Sequence, residues 1–224
     1  MDIITAIDHD LFLFLHNVAR CHFLDGFMLL FTGKWIWVPF YVALAWMVLR
    51  TDSNLRGILF LAAIGVAIAV TDQTCQGIIR PIVERLRPCH PDSAVVHGVT
   101  LVDNYRSGSF SFPSCHAANS MLLAVMIALY ARRRALTLSI LAWAFVHSIS
   151  RVYLAVHFPG DLVAGWLIGA IFATAFYFLW RWGAGRLRPK TEKNKDSISR
   201  KTLLIPLGVL GVTVMTITVI ALFS

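Results

Sequence analysis

LLIPLGVLGVTVMTITVIALF, residues 203–223, is an apolar run without a charged side chain. As a helix rising 1.5 Å per residue it spans ~30 Å, the thickness of a bilayer's hydrocarbon core. Working back along the chain, five more stretches read the same way, at about 31–49, 56–79, 114–131, 136–156 and 162–180. Lys34 and Pro39 interrupt the first, and Lys34, near its end, can snorkel to the interface. The expectation is an all-α, polytopic integral membrane bundle of about six transmembrane helices.

Composition agrees. Of 224 residues, 58% are hydrophobic and 14% charged, where soluble domains carry roughly 25% charged residues. This excludes a disordered chain, a soluble domain and a nucleic-acid-binding arm. The length fits one membrane domain. Its expected parts are an interfacial N-terminal segment (1–30), a helical core (31–182), a basic cytoplasmic loop (183–202) and an additional C-terminal transmembrane helix (203–224). Residues 1–20 carry Asp2, Asp8 and Asp10 and no base before Arg20, so the basic region of a secretory signal is missing. Ile3 to Val18 reads as an amphipathic interfacial helix.

The net charge is +8, and eight basic residues fall between Arg181 and Lys201 against Glu192 and Asp196. Lying between two apolar stretches, this run reads as a topology-setting loop near anionic lipid rather than a nucleic-acid site. Arg50 and Arg56, then Arg132, Arg133 and Arg134, mark two more loops on the same, cytoplasmic side. The loops after the second and fourth spans then lie outside. Arg80, Arg85, Arg87 and Arg106 break the bias there, and ask for a local reason such as an anionic ligand. The four cysteines form no Cys-x-x-Cys pair. Cys75 reads as a small hydrophobe; a disulfide between Cys89 and Cys115 is conceivable.

Three polar clusters interrupt the apolar chain, all at the outer face by the loop count. They are Arg80-Pro-Ile-Val-Glu-Arg-Leu-Arg87-Pro88, Pro113-Ser114-Cys115-His116, and Ser150-Arg151-Val-Tyr-Leu-Ala-Val-His157-Phe-Pro-Gly-Asp161. Arg80, Arg87 and Arg151 offer fixed charge and planar donor forks, which suit phosphate oxygens. Ser114 opens a helix whose first amides have no intrahelical partner and favour an anion. Phosphomonoester cleavage needs a nucleophile and an acid for the leaving oxygen. His157, with Asp161 four residues on to orient it, fits the first role, and His116 the second. The arginines, rather than a metal, would meet the transition-state charge; no carboxylate cluster suits Mg²⁺, so neither metal nor cofactor is expected.

These clusters resemble the signature of the type 2 phosphatidic acid phosphatase superfamily, which includes membrane lipid phosphatases. Its pattern is Lys, six residues, Arg-Pro; then Pro-Ser-Gly-His; then Ser-Arg, five residues, His, three residues, Asp. Arg80 replaces the Lys, Cys115 replaces the Gly, and the third motif matches throughout. The resemblance implies a phosphohistidine mechanism. His157 would attack phosphorus, Asp161 orient it and His116 protonate the leaving group, while Arg80, Arg87, Ser114, Arg151 and the amides near Cys115 and His116 bind phosphate. Ser150 can assist. Arg80 is bulkier than Lys, and the Cys115 Cβ crowds a place where Gly permits close approach.

Taken singly, these residues have blander readings. Ser150 is an ordinary packing serine, and His147, one turn before Arg151, leans to packing. Asp72 and Gln73 lean to interhelical hydrogen bonds. His9 sits in a solvated turn. Trp35, Trp37, Trp180 and Trp182 are interfacial anchors. A channel would carry its charges near span centres, whereas the motifs lie at span ends. The expected partner is a membrane lipid. The expected activity is hydrolysis of a lipid phosphate or diphosphate at the outer face of a cell inner membrane. Undecaprenyl diphosphate is the first choice, then lipid A, then phosphatidylglycerol phosphate or phosphatidate. Phosphoryl transfer to another lipid is a further alternative.

Overall fold

The computed structural model describes residues 3–52, 54–185 and 198–223. Most of the basic loop expected at 183–202 lies outside the described residues. Nine α-helices are described: α1 (Ile3–Asn17), α2 (His22–Phe31), α3 (Val38–Thr51), α4 (Asn54–Gln73), α5 (Arg80–Val83), α6 (Cys115–Ala131), α7 (Arg134–Tyr153), α8 (Pro159–Gly185) and α9 (Arg200–Phe223). Among the described residues there is no β-strand; Leu86 and Phe110 form an isolated antiparallel bridge.

The helix limits follow from local chemistry. Pro39 sits in the first turn of α3, where a missing N–H costs nothing. A π-helical turn over Thr74–Ile79 joins α4 to α5, so Leu55–Val83 runs as one apolar rod that ends where Glu84 turns left-handed (φ 48°). Ser114 caps α6, its Oγ accepting from the Ala117 amide at 3.4 Å. Arg132, also left-handed, closes that helix.

Five of the six apolar stretches are helical over nearly their whole length, and the first is broken at Thr32–Lys34. Among the described residues, four helices are long and apolar enough to cross a membrane: Leu55–Val83, Arg134–Tyr153, Pro159–Ala184 and Arg200–Phe223. His22–Phe31 and Trp35–Thr51 qualify together, bent by 68°, as a fifth span. Helix α6, with 17 residues, is shorter. The span expected from about residue 31 therefore begins earlier, in α2, which the sequence reading assigns to the interfacial segment. Val163, Leu167 and Ile171 on α8 and Val212, Met215 and Val219 on α9 are exposed, as a lipid-facing surface requires.

Helix α6 is the centre of the bundle, against α4, α7 and α8, while α9 lies on α2 and α3. The main core gathers Trp37, Phe40, Met47, Phe60, Leu122, Met126, Leu136 and Ile140. A second core at the other end of α7 joins Phe12 of α1 to Val152–Val156, Phe158 and Leu162. Helix α8 reaches α6 so closely because Gly165 and Gly169 have no side chain. A Cβ at Gly165 would lie 2.5 Å from the Ser114 carbonyl oxygen, and one at Gly169 would overlap the Ala118 carbonyl. This small-xxx-small stripe is the usual means of close helix approach in membranes; the sequence reading does not single it out.

Gly169→Leu drives a Cβ into the Ala118 backbone, so it should destabilise the protein by about 2 kcal/mol or more and lower its melting temperature in detergent. Gly208→Leu, with nothing near its Cβ position, should leave the melting temperature nearly unchanged.

Candidate active site

Each functional side chain is carried by a rigid element. Arg80 begins α5 directly after the π-turn. Arg87 lies in the strand-like segment bridged to Phe110. Cys115 and His116 form the first turn of α6, Arg151 the last turn of α7, and His157 the tight connection before α8. Backbone bonds fold that connection onto itself: the Val156 and His157 amides both donate to the Arg151 carbonyl.

Arg80, Arg87, Cys115, His116, Arg151 and His157 line one cavity of about 540 Å³. The arginines are pre-positioned. Arg87 donates to the Val156 carbonyl (2.6 Å) and to the carbonyl of Gly108. Arg151 donates to Thr32 Oγ1 (2.7 Å) and the Tyr105 hydroxyl (2.8 Å), and Arg80 to the Pro113 carbonyl (3.2 Å). The Nε atoms of Arg80 and Arg151 are buried without a hydrogen-bond partner among the described residues. Each is a buried donor that an acceptor in the cavity would satisfy.

His157 is 1% exposed. Its Nε2 lies 3.1 Å from Arg87 Nη1, and its Nδ1 lies 3.4 Å from Asp161 Oδ2. The second distance exceeds that of a normal N–H···O bond, so the contact is electrostatic rather than a closed hydrogen bond. Burial first, then the charges of Arg87, Arg151 and Arg80, hold the His157 pKa well below 6.5. The ring is therefore neutral at neutral pH, with a lone pair available. Burial also lowers the Arg87 pKa, to about 10, which leaves it charged at neutral pH.

Asp161, with no exposed surface, is held chiefly by other partners. Its Oδ1 accepts from Arg85 (3.0 Å) and its Oδ2 from the Phe158 amide (2.8 Å). Arg85 also pairs with Asp8 of α1 at 2.7 Å, and the Asp8 carboxylate accepts from the Gly160 amide at 2.8 Å. Helix α1 is thus docked on the loop that carries His157, with His9 stacked on Phe158 at 4.8 Å. Neither Asp8 nor Arg85 is assigned a role by the sequence reading. Arg85 lies within a recognised cluster, two residues before Arg87, and that was the available signal. Asp8 offered none.

Ser114 and Ser150 are buried but are not among the residues lining the cavity. The Ser150 hydroxyl donates to the His147 carbonyl at 2.7 Å. His147, which the sequence reading leans to packing, does line the cavity, and its ring stacks on that of His116 at 5.7 Å. All four cysteines are free thiols. Cys115 packs with Cys75 and Ala118, while Cys89 belongs to the second core, so Cys75 rather than Cys89 is the neighbour of Cys115. Among the described residues, no group of three or more His, Cys, Asp or Glu side chains could hold a metal ion. Fixed cationic forks, the first turn of a helix and a neutral buried imidazole together suit binding and nucleophilic attack on a phosphoryl group.

The comparisons agree with this chemistry. Residues 56–186 match the model of the PAP2 superfamily. A lipid A 4'-phosphatase of Bacteroides thetaiotaomicron is 40% identical over 191 residues, 85% of this chain and 84% of that protein. One of the same name from Porphyromonas gingivalis is 29% identical over 189 residues, 83% of this chain and 78% of that protein. The crystal structure of a transmembrane PAP2-type phosphatidylglycerolphosphate phosphatase from Bacillus subtilis superposes with a TM-score of 0.61 at 20% identity, covering 85% of this chain and 90% of that one. With a family match across more than half its length and a relative so similar along most of it, the chain belongs to the PAP2 superfamily, in its membrane lipid phosphatase branch.

Proposed function

We propose that this protein is a lipid A phosphatase that removes a phosphate monoester at the outer face of a bacterial inner membrane. The observation that carries the substrate is the 40% identity to a lipid A 4'-phosphatase along 85% of the chain. The second relative matched over more than four fifths of the chain bears the same name. Undecaprenyl diphosphate, the first expectation from sequence, yields to lipid A on this ground.

In this reading the substrate phosphate accepts from Arg80, Arg87, Arg151 and the first amides of α6. The His157 Nε2 lone pair attacks phosphorus, and the bond from phosphorus to the sugar oxygen breaks. His116 gives that oxygen its proton. Water then gives a proton back to His116 and attacks the phosphohistidine, the P–N bond breaks, and inorganic phosphate leaves. Asp161 orients and supports the imidazole as it gains positive charge. Arg85 and Asp8 are positioning residues, acting through Asp161 and the Gly160 amide. The cavity's apolar part supports a lipid substrate, because Leu44, Ile64, Ile68, Leu123 and Ile127 line the same space as the arginines.

Phosphate release from lipid A by the purified protein tests the reading. His157→Ala should lower turnover by about 1,000-fold or more with the melting temperature retained; normal turnover would overturn the nucleophile. Asp8→Ala should lower kcat by about 10-fold through misplacement of the His157 loop, with KM little altered. Cys115→Gly should preserve or raise activity, since a Cβ is removed from the first turn of α6; complete loss would contradict the role given to that turn.

A further inference from the structure

The cavity has an order that the phosphate chemistry does not use. On α4 and its π-turn, Asp72, Gln76 and Arg80 follow one another at intervals of four residues, and on α6 Cys115, Asn119 and Leu123 do the same. All six line the cavity. At the outer end are Arg80, Cys115 and His116. About one to two helical turns (~6–12 Å) further in comes a polar tier. There Asp72 accepts from Gln76 Nε2 at 2.6 Å and from Asn119 Nδ2 at 3.3 Å. Beyond it the walls are Ile64, Ile68, Leu123 and Ile127.

The polar tier is unfinished. Asn119 Oδ1 is buried and has no hydrogen-bond partner among the described residues. Turning the amide over does not help, because Asp72 can only accept and needs the Nδ2 donor where it is. The second lone pairs of the Asp72 oxygens are also acceptors. What Asn119 Oδ1 and the Asp72 carboxylate lack is therefore a donor. The negative charge of Asp72 repels phosphate, so this tier contrasts with the cationic arginine end next to it.

We propose that Asp72, Gln76 and Asn119 form a headgroup subsite that takes hydroxyl or amide N–H donors of a phosphorylated amino sugar. The sequence of tiers fits such a lipid in order: phosphate on the arginines, sugar donors on Asn119 Oδ1 and Asp72, acyl chain along the isoleucines and Leu123. A polyprenyl phosphate or a phosphatidate has no donor beside its phosphoester carbon, and would leave this tier unsatisfied. Sites that hydrogen-bond a substrate's donor discriminate strongly against an analogue lacking it. The inference rests on the lipid A reading for the identity of the substrate, and on the cavity alone for the chemistry of the subsite.

The test compares lipid A with phosphatidate in detergent, using wild type, Asn119→Leu and, in case that variant does not fold, Gln76→Leu. The ratio of kcat/KM for lipid A to that for phosphatidate should fall at least ten-fold in the variants, mostly through KM. An unchanged ratio, whether both activities fall together or neither falls, overturns the subsite. A wild type that hydrolyses phosphatidate but not lipid A overturns the lipid A reading instead. Binding to the His157→Ala protein separates the two. Asn119→Leu added to it should raise the Kd of glucosamine 4-phosphate at least ten-fold more than that of inorganic phosphate. Equal shifts overturn the subsite whatever the lipid.

Discussion

A carboxylate with no exposed surface is the point on which the motif-bearing end of the bundle depends. An isolated buried charge costs several kcal/mol unless it is paired and hydrogen-bonded. Asp161 meets that demand by drawing on segments far apart in the chain. Its side chain takes Arg85 and the Phe158 amide, and its own carbonyl accepts from the Ser114 amide at 3.0 Å. One residue of the third motif thereby fixes the first motif, two residues from Arg87, and the second motif at its helix cap. Through Arg85 it also draws in Asp8 and the whole of α1. Loss of one partner would leave the carboxylate uncompensated at a cost of about 3–5 kcal/mol, so the alignment of the three motifs and the stability of this end are one property.

The same economy governs the imidazole. A nucleophilic histidine must be neutral, and in water about half of ordinary histidines would be protonated near pH 6.5. Here burial and the three arginines disfavour the charged form. The three arginines that line the cavity thus add to burial in keeping His157 unprotonated, which is what the proposed nucleophilic role requires. When a phosphate dianion arrives and offsets their charge, the penalty on an imidazole gaining positive character falls. Asp161, 3.4 Å from Nδ1, stands where that developing charge needs support.

Much of this was legible in the sequence, and the rest was not, for a physical reason. Apolar runs of bilayer length declare themselves locally, so the helical stretches and their order could be read. The three motifs could be read because their internal spacing is short: Arg80 to Arg87, Pro113 to His116, Ser150 to Asp161. What escaped are pairings across long separations that leave no local period. Asp8 with Arg85, Thr32 and Tyr105 with Arg151, and Cys75 with Cys115 are each set by how helices stack. The early start of the first span escaped for a related reason. His22 and Asp25 make α2 look interfacial, yet Asp25 spends its charge on Arg20 and the Tyr153 hydroxyl, which lets the helix join the bundle.

Helix length sets α6 apart from the longer helices around it. Seventeen residues of α6 measure ~26 Å, less than the ~30 Å of hydrocarbon. Helix α8 crosses it closely at Gly165 and Gly169, so the N-terminal turn of α6 is fixed by packing rather than by the membrane surface. The loop over residues 89–112 closes the space above that short helix. It supplies the Tyr105 hydroxyl to Arg151, the Gly108 carbonyl to Arg87 and Arg106 to the Cys89 carbonyl. Arginines here are held by main-chain carbonyls and hydroxyls, which hold them in position without neutralising them. A carboxylate on each would have paired the charge; Asp161 is paired instead with Arg85, an arginine that does not line the cavity.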